Sequence, residues 1–398
     1  MTANENPQTQ ILPEDGLAGT LLGRARVPAA LSPSGVAGPS PVWLCEDGVF
    51  DLSPLAPTLA QLLETGFGPD SADLGRAQRI GSVEEILRNT QAAERDESVP
   101  HFLAPVDLQA IKACGVTFVC SMLERVIEER AAGDPARAKE LRGKLAEKIG
   151  GDISGVVPGS EEAESLKAAL QEAGIWSQYL EVGIGPFAEV FTKSQPLSSV
   201  GPCEQVGVHP VSSWNNPEPE VVLIVDSRGK TVGATLGNDV NLRDIEGRSA
   251  LLLGKAKDNN ASCAIGPFIR LFDNTFSIDD VRSAEVTLEI EGEDGFALRE
   301  VSPMSEISRD PLNLVEQTIG RTHQYPDGVA LFTGTLFAPT QDRDNESMGF
   351  THKEGDRVRI SSPKLGALSN TVTTSDKAPE WEFGISALMR NLAARGLL

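Results

Sequence analysis

Three acids on one short stretch, Glu218, Glu220 and Asp239, are the first side chains whose types and spacing suggest chemistry. Residues 216–239 read as two apolar strands joined at Ser227-Arg228-Gly229-Lys230, a polar turn in which Gly takes the awkward backbone angle. Pairing Asp226 with Thr231 and continuing that register sets Glu218 opposite Asp239. Glu220 lies two residues along the first strand, so it emerges on the face of Glu218. Directly opposed Cβ atoms lie about 5 Å apart, and i, i+2 neighbours about 7 Å apart. Like charges about 5 Å apart repel by about 3 kcal/mol at an effective dielectric of roughly 20. Protons or a cation must therefore relieve the cluster. An all-oxygen set with positions left open suits Mg²⁺ or Mn²⁺, and Ca²⁺ is also compatible. The alternative is a solvated start to the strand with its acids fanned into water, Pro219 weakening that end of the ladder.

The elements that must position these acids are legible in outline. Residues 1–15 read as a loose tail, followed by short strands at Gly19–Val27 and Pro41–Asp51 and a small helix at about Thr58–Glu64. This predicts a small N-terminal α/β domain over residues 1–105 and a main domain over 106–398. The main domain opens with an apolar segment from Leu108 to Phe118. A helix is predicted over roughly 120–132, with Leu123, Val126 and Ile127 on one face. Asp134-Pro135 starts another to about Lys148, Ser160 caps a third to Gly174, and Asp310-Pro311 opens a fourth to about Gly320. Strand-and-turn patterning dominates beyond Phe187, which gives an α+β protein built on a folded mixed β-sheet.

A formal net charge of −22 sets the chain against phosphate backbones and anionic membranes, so neither nucleic acid nor lipid is an expected partner. The first ten residues carry no basic or apolar signal segment, and the odd, scattered cysteines suit free thiols. Both point to a cytoplasmic protein. The four histidines are too widely spaced for a zinc site, and neither a Gly-x-Ser-x-Gly elbow nor a P-loop occurs.

Taken together, several motifs resemble the fumarylacetoacetate hydrolase superfamily. They are Glu-x-Glu on an apolar strand, Leu236-Gly-Asn-Asp-Val-Asn-Leu-Arg-Asp244, Lys255-Ala-Lys-Asp258 ahead of Ile265-Gly-Pro267, and Asp327-Gly-Val-Ala-Leu-Phe-Thr-Gly-Thr335. Gly349–Val358 and Leu365–Asn370 complete the series in family order, so the likeness runs from about Ala113 to about Val372. Within the superfamily the chain looks most like the bacterial 2-keto-3-deoxy-pentonate dehydratases. The resemblance implies a β-roll catalytic domain with Mg²⁺ on Glu218, Glu220 and Asp239, in a homodimer or homotetramer.

It also implies that Lys257, nine residues before Gly266, is the active-site lysine that moves a proton and meets substrate. Lys255 competes for that role, and both could instead be surface lysines. A nearby cation is expected to bring the pKa of Lys257 into a working range. Thr335 resembles the family hydroxyl that meets the substrate carboxylate; otherwise it is a strand-end threonine. Arg243, four residues beyond Asp239, either clamps a substrate oxygen or pairs with Asp244 or Glu246. The family often carries Gln at the position of Glu246.

Hydrolytic members place a water-activating His in the motif that Cys114–Arg125 stands in for, yet no His occurs between His101 and His209. Glu124 or Glu128 could move a carbon-bound proton there instead, or could simply pair with Arg125 and Arg130. The implied activity is dehydration of a small 2-keto acid, such as 2-keto-3-deoxy-D-xylonate, to 2-ketoglutarate semialdehyde. Two alternatives stand beside it: hydrolysis of a C–C bond in a 2,4-diketo acid, and a non-catalytic Ca²⁺-binding or acidic protein.

Overall fold

The computed structural model describes residues 11–131, 134, 137, 156–172, 176–335, 339, 341–344 and 349–398. Among these, an eleven-stranded mixed sheet and a five-stranded sheet dominate, with a two-stranded ladder of Asn215–Asn216 and Asn241–Leu242 beside them. The strand Pro219–Val225 is central to the large sheet, flanked by Thr231–Asp239 and Val329–Phe332. It is buried along its whole length because both faces are covered. Val221, Leu223 and Val225 face a core shared with Leu288, Ile290, Val358, Ile360 and Leu368 of the smaller sheet. Val222 and Ile224 face a second core with Ile111, Phe332 and the helix Leu59–Glu64. The alternation of strand side chains divides them this way, and full burial contributes roughly 1.5–3 kcal/mol for each large aliphatic.

Several expected elements form where their caps stand. Thr58 caps Leu59–Glu64, the Ser160 hydroxyl accepts from Ala163 N, and Asp310 caps Pro311–Thr318. The helix expected over 120–132 runs Val119–Ala131. The helix expected from Asp134 to Lys148 lies almost entirely outside the described residues. Pro41–Asp51 is not one strand but parts of the hairpin Gly38–Cys45 and Gly48–Asp51, turning where Gly48 takes a φ of 128°. The N-terminal strand Leu21–Val27 pairs with Cys263–Leu271, so the first hundred residues extend the same large sheet.

Candidate metal centre

The register that brings the acids together arises differently from the simple hairpin. Asp226 N donates to Lys230 O at 2.9 Å, and Val225, not Asp226, pairs with Thr231. The Asp226 carboxylate accepts from the N–H groups of Arg228 and Lys230, which closes the turn by one residue. Val232 is then an extra residue, and Ile224 pairs with Gly233 beyond it. The bulge restores the expected register: Asp239 N donates to Glu218 O at 3.0 Å.

Glu218, Glu220 and Asp239 are all buried, and one carboxylate oxygen from each lies within 4.8 Å of the others. The solvated-strand alternative is thereby excluded. Glu220 Oε2 accepts from Gly334 N at 2.7 Å, and Thr335 Oγ1 lies 3.4 Å from Glu220 Oε1. Gly334 is required there: its φ is 105°, and a Cβ would fall 1.8 Å from Thr117 Oγ1. Opposite Glu220 stands Gly237, where a Cβ would meet the Phe332 ring at 2.2 Å.

Lys257 closes the short helix Leu253–Lys257 and is buried with the triad. Its Nζ donates to Glu218 Oε2 at 2.5 Å and to Asp239 Oδ2 at 3.1 Å. Lys255 points elsewhere, its Nζ 2.6 Å from His209 Nε2 at the surface. Of the two lysines, Lys257 is the one that reaches the triad. Burial opposes its charge, but Asp239, Glu218 and Glu246 outweigh burial and hold the ammonium above its ordinary range. The expected lowering into a working range is thus opposed by these acids, and the group stands as a fixed ammonium that donates hydrogen bonds while keeping its proton.

Arg243 opens the helix Arg243–Glu246 and is buried, donating to Pro339 O at 2.9 Å with its guanidinium 5.0 Å from the Trp214 ring. Asp244 accepts from Ser212 and Ser213. Glu246 lies 2.7 Å from Arg125 Nη1. Glu124 lies on the helix Val119–Ala131, but its side chain falls outside the described residues, as does that of Glu128. Arg125, read as a partner for those helix acids, reaches Glu218.

The strand Glu189–Ser194 supplies three residues that sequence reasoning missed. It pairs with Ala110–Gly115, and alternate side chains Glu189, Phe191 and Lys193 share one face. Lys193 is fully buried, with Nζ 2.8 Å from Asp239 Oδ1, and it donates to the carbonyls of Val240 and Lys257. The Phe191 ring lies 5.8 Å from Lys257 Nζ. Glu189 packs on Gly115, where a Cβ would come within 2.0 Å of its Oε2. Burial and the neighbouring Glu246 raise its carboxyl to about 7, against the opposing charges of Arg125 and Lys257. A period-two Glu-x-Phe-x-Lys pattern was the available signal.

The triad is electrically unequal. Burial works against ionised Glu218, but the charges of Lys257 and Arg125 and the hydrogen bonds of Lys257 and Thr335 hold it down at about 2. Burial raises Glu220 well above the carboxylate range, and the charges of Asp239 and Glu218 add to that. Asp239 Oδ1 sits beside the Lys193 ammonium outside hydrogen-bond geometry, a buried oxygen without a donor. Three buried carboxylates, one oxygen lacking a donor and an ammonium already bridging two of them suit a hard divalent cation.

Residues 166–373 match the family model described as fumarylacetoacetate (FAA) hydrolase C-terminal, slightly more than half of the chain. The chain belongs to the fumarylacetoacetate hydrolase family. A "Probable 2-keto-3-deoxyxylonate dehydratase" of Haloferax volcanii is 33% identical over 210 residues, 53% of this chain and 68% of that relative. A 2-dehydro-3-deoxy-D-arabinonate dehydratase of Saccharolobus solfataricus is 34% identical over 184 residues, covering 46% of this chain and 58% of the relative. Among solved structures, 2-keto-3-deoxy-D-arabinonate dehydratase complexed with magnesium and 2,5-dioxopentanoate superposes with a TM-score of 0.58 at 21% identity, over 89% of this chain and 99% of that one. That likeness establishes the fumarylacetoacetate hydrolase fold, including the expected folded mixed sheet.

Proposed function

We propose that this chain is a Mg²⁺-dependent dehydratase of a 2-keto-3-deoxy-pentonate, such as 2-keto-3-deoxy-D-xylonate, forming 2-ketoglutarate semialdehyde (2,5-dioxopentanoate). The observation that carries the reading is the convergence of Glu218, Glu220 and Asp239 with Lys257 in one buried site. The relatives named as pentonate dehydratases support the choice of substrate class.

Glu218, Glu220 and Asp239 would hold the ion, whose Lewis acidity toward the carboxylate and keto oxygens of the substrate would acidify the C3 protons. Glu189 takes the C3 proton, because a carboxyl poised near neutrality can both accept and return it. Glu124 is the competing base. Lys257 keeps its proton and so stabilises negative charge developing on the keto oxygen. The C4 hydroxyl leaves as water with the proton taken from C3, which forms the C3–C4 double bond. Loss of a C5 proton with return of one to C3 then gives the enol of the C5 aldehyde, and the overall change is loss of one water. Thr335 and Arg243 are assigned to the substrate's oxygens, and Lys193 to the orientation of Asp239 and Lys257.

We further assign the enzyme to the cytoplasm as a homodimer or homotetramer, with a small N-terminal domain ending near residue 105. No helix among the described residues is long and apolar enough to cross a membrane.

The test is incubation of purified protein and Mg²⁺ with 2-keto-3-deoxy-D-xylonate. Semialdehyde trapped as its hydrazone, and abolished by EDTA, is expected. Pyruvate released from a 2,4-diketo acid, with no semialdehyde from the pentonate, would favour the hydrolase. Turnover unaffected by EDTA would remove the metal from the account.

A further inference from the structure

Arg125 sits three residues beyond Met122 on the helix Val119–Ala131, so the two lie on one side of it. Met122, Val126 and Ile127 pack with Tyr179, Leu180 and Trp214 in a small apolar cluster, which fixes the helix against the site. The guanidinium then divides between two acids. Nη2 donates to Glu218 Oε1 at 2.5 Å, and Nη1 lies 2.7 Å from Glu246 Oε2. The three side chains are 10%, 2% and 8% exposed, so neither contact is a loose surface pair.

The other Glu218 oxygen, Oε2, accepts from Lys257, whose ammonium also reaches Asp239 of the triad. Glu218 is therefore gripped on its outer oxygen by Arg125, which leaves the inner oxygen aimed at the point where the acids converge. A planar fork fixes the direction of two acceptors at once, which a lysine ammonium does not do. The second prong occupies Glu246, which would otherwise add a further buried acid to a crowded centre.

We infer that Arg125 is a positioning residue of the metal centre: it sets the orientation of Glu218 from the helix packed against the site and thereby the affinity for the divalent ion. The inference rests on reading the triad as a metal centre. Groups that orient metal ligands typically alter affinity by roughly 10- to 100-fold when removed.

The experiment is calorimetric titration of Mg²⁺ into the native protein, R125K, R125M and the double variant R125M/E246Q, with thermal melting of each. The double variant removes the Glu246 charge together with the Arg125 charge that faces it, so it is the form expected to fold with a native-like melt. It should nonetheless bind Mg²⁺ roughly 10- to 100-fold more weakly, and R125K should regain only part of the native affinity. Turnover by the double variant should recover at high Mg²⁺, because the defect lies in holding the ion. Equal Mg²⁺ affinity in the native protein, R125K and the double variant would overturn the role of Arg125 alone. A native protein that takes up no Mg²⁺ would overturn the metal-centre reading and this inference with it.

Discussion

Lys257 Nζ stands 2.5 Å from Glu218 Oε2, on the inner side of the carboxylate where a metal ion would bind. The same ammonium reaches Asp239, so it competes with a cation for two of the three acids. Two positive charges about 4 Å apart repel by about 4 kcal/mol at an effective dielectric of roughly 20. K257M should therefore bind Mg²⁺ at least about tenfold more tightly while losing roughly 10²- to 10⁴-fold in turnover. Calorimetry beside a turnover assay checks both. Weaker Mg²⁺ binding in K257M would show that the lysine assists the ion instead of competing with it.

Lys193 holds the other side of Asp239 and ties the Lys257 carbonyl to the same point. Removing one member of a buried ion pair typically costs about 3–5 kcal/mol. Asp239 keeps Lys257 as a second partner, so K193M is expected at the lower end, about 3 kcal/mol. Chemical denaturation measures it. A loss below about 1 kcal/mol would place Lys193 outside the group of residues that fixes the centre.

In the absence of the ion, burial and the charges of Asp239 and Glu218 raise the Glu220 carboxyl well above the carboxylate range, which favours its protonated form. A protonated acid must lose its proton to ligate, so Mg²⁺ affinity should rise with pH and binding should release protons. Titration in two buffers of different ionisation enthalpy reads the release directly. Identical heats in the two buffers would contradict it.

Glu189 gives a second pH signature. Its folded pKa, about 7, is raised from an ordinary 4.5, so its stabilising contribution is complete below 4.5 and is lost as pH rises through about 7. His101, lowered to about 4, acts in the opposite direction over much of that window, so native protein must be compared with E189Q. The stability of native protein relative to E189Q should fall between these pH values, by up to about 3 kcal/mol. As a base Glu189 must be ionised, so native kcat/KM should rise with pH, reach half its plateau at about 7 and level off above it, and E189Q should lose roughly 10²- to 10⁴-fold of the plateau value. An unchanged pH–rate limb in E189Q would return the proton transfer to Glu124.

The positions legible in the sequence were those fixed over short distances. The opposition of Glu218 and Asp239 followed from one hairpin, even though the real turn is a residue tighter and a bulge at Val232 makes up the difference. Ser160 and Asp310 acted as caps where they stood. Glu189 and Lys193 were hidden because their strand reaches the triad only by pairing with Ala110–Gly115, itself joined in parallel to Val329–Phe332. The reach of Arg125 to Glu218 and Glu246 was hidden because both acids lie about a hundred residues away in sequence. The pairing of Leu21–Val27 with Cys263–Leu271 left no local trace for the same reason.

Anomalous scattering from a crystal grown with Mn²⁺ and soaked with 2-oxobutyrate tests the central claim most directly. One peak is expected at ligand distance, about 2.0–2.3 Å, from Glu218, Glu220 and Asp239 together, with the two oxygens of the keto acid completing the shell and the Lys257 ammonium moved off Glu218 Oε2. A peak elsewhere, or the three carboxylates unchanged around Lys257 with no manganese between them, would contradict it.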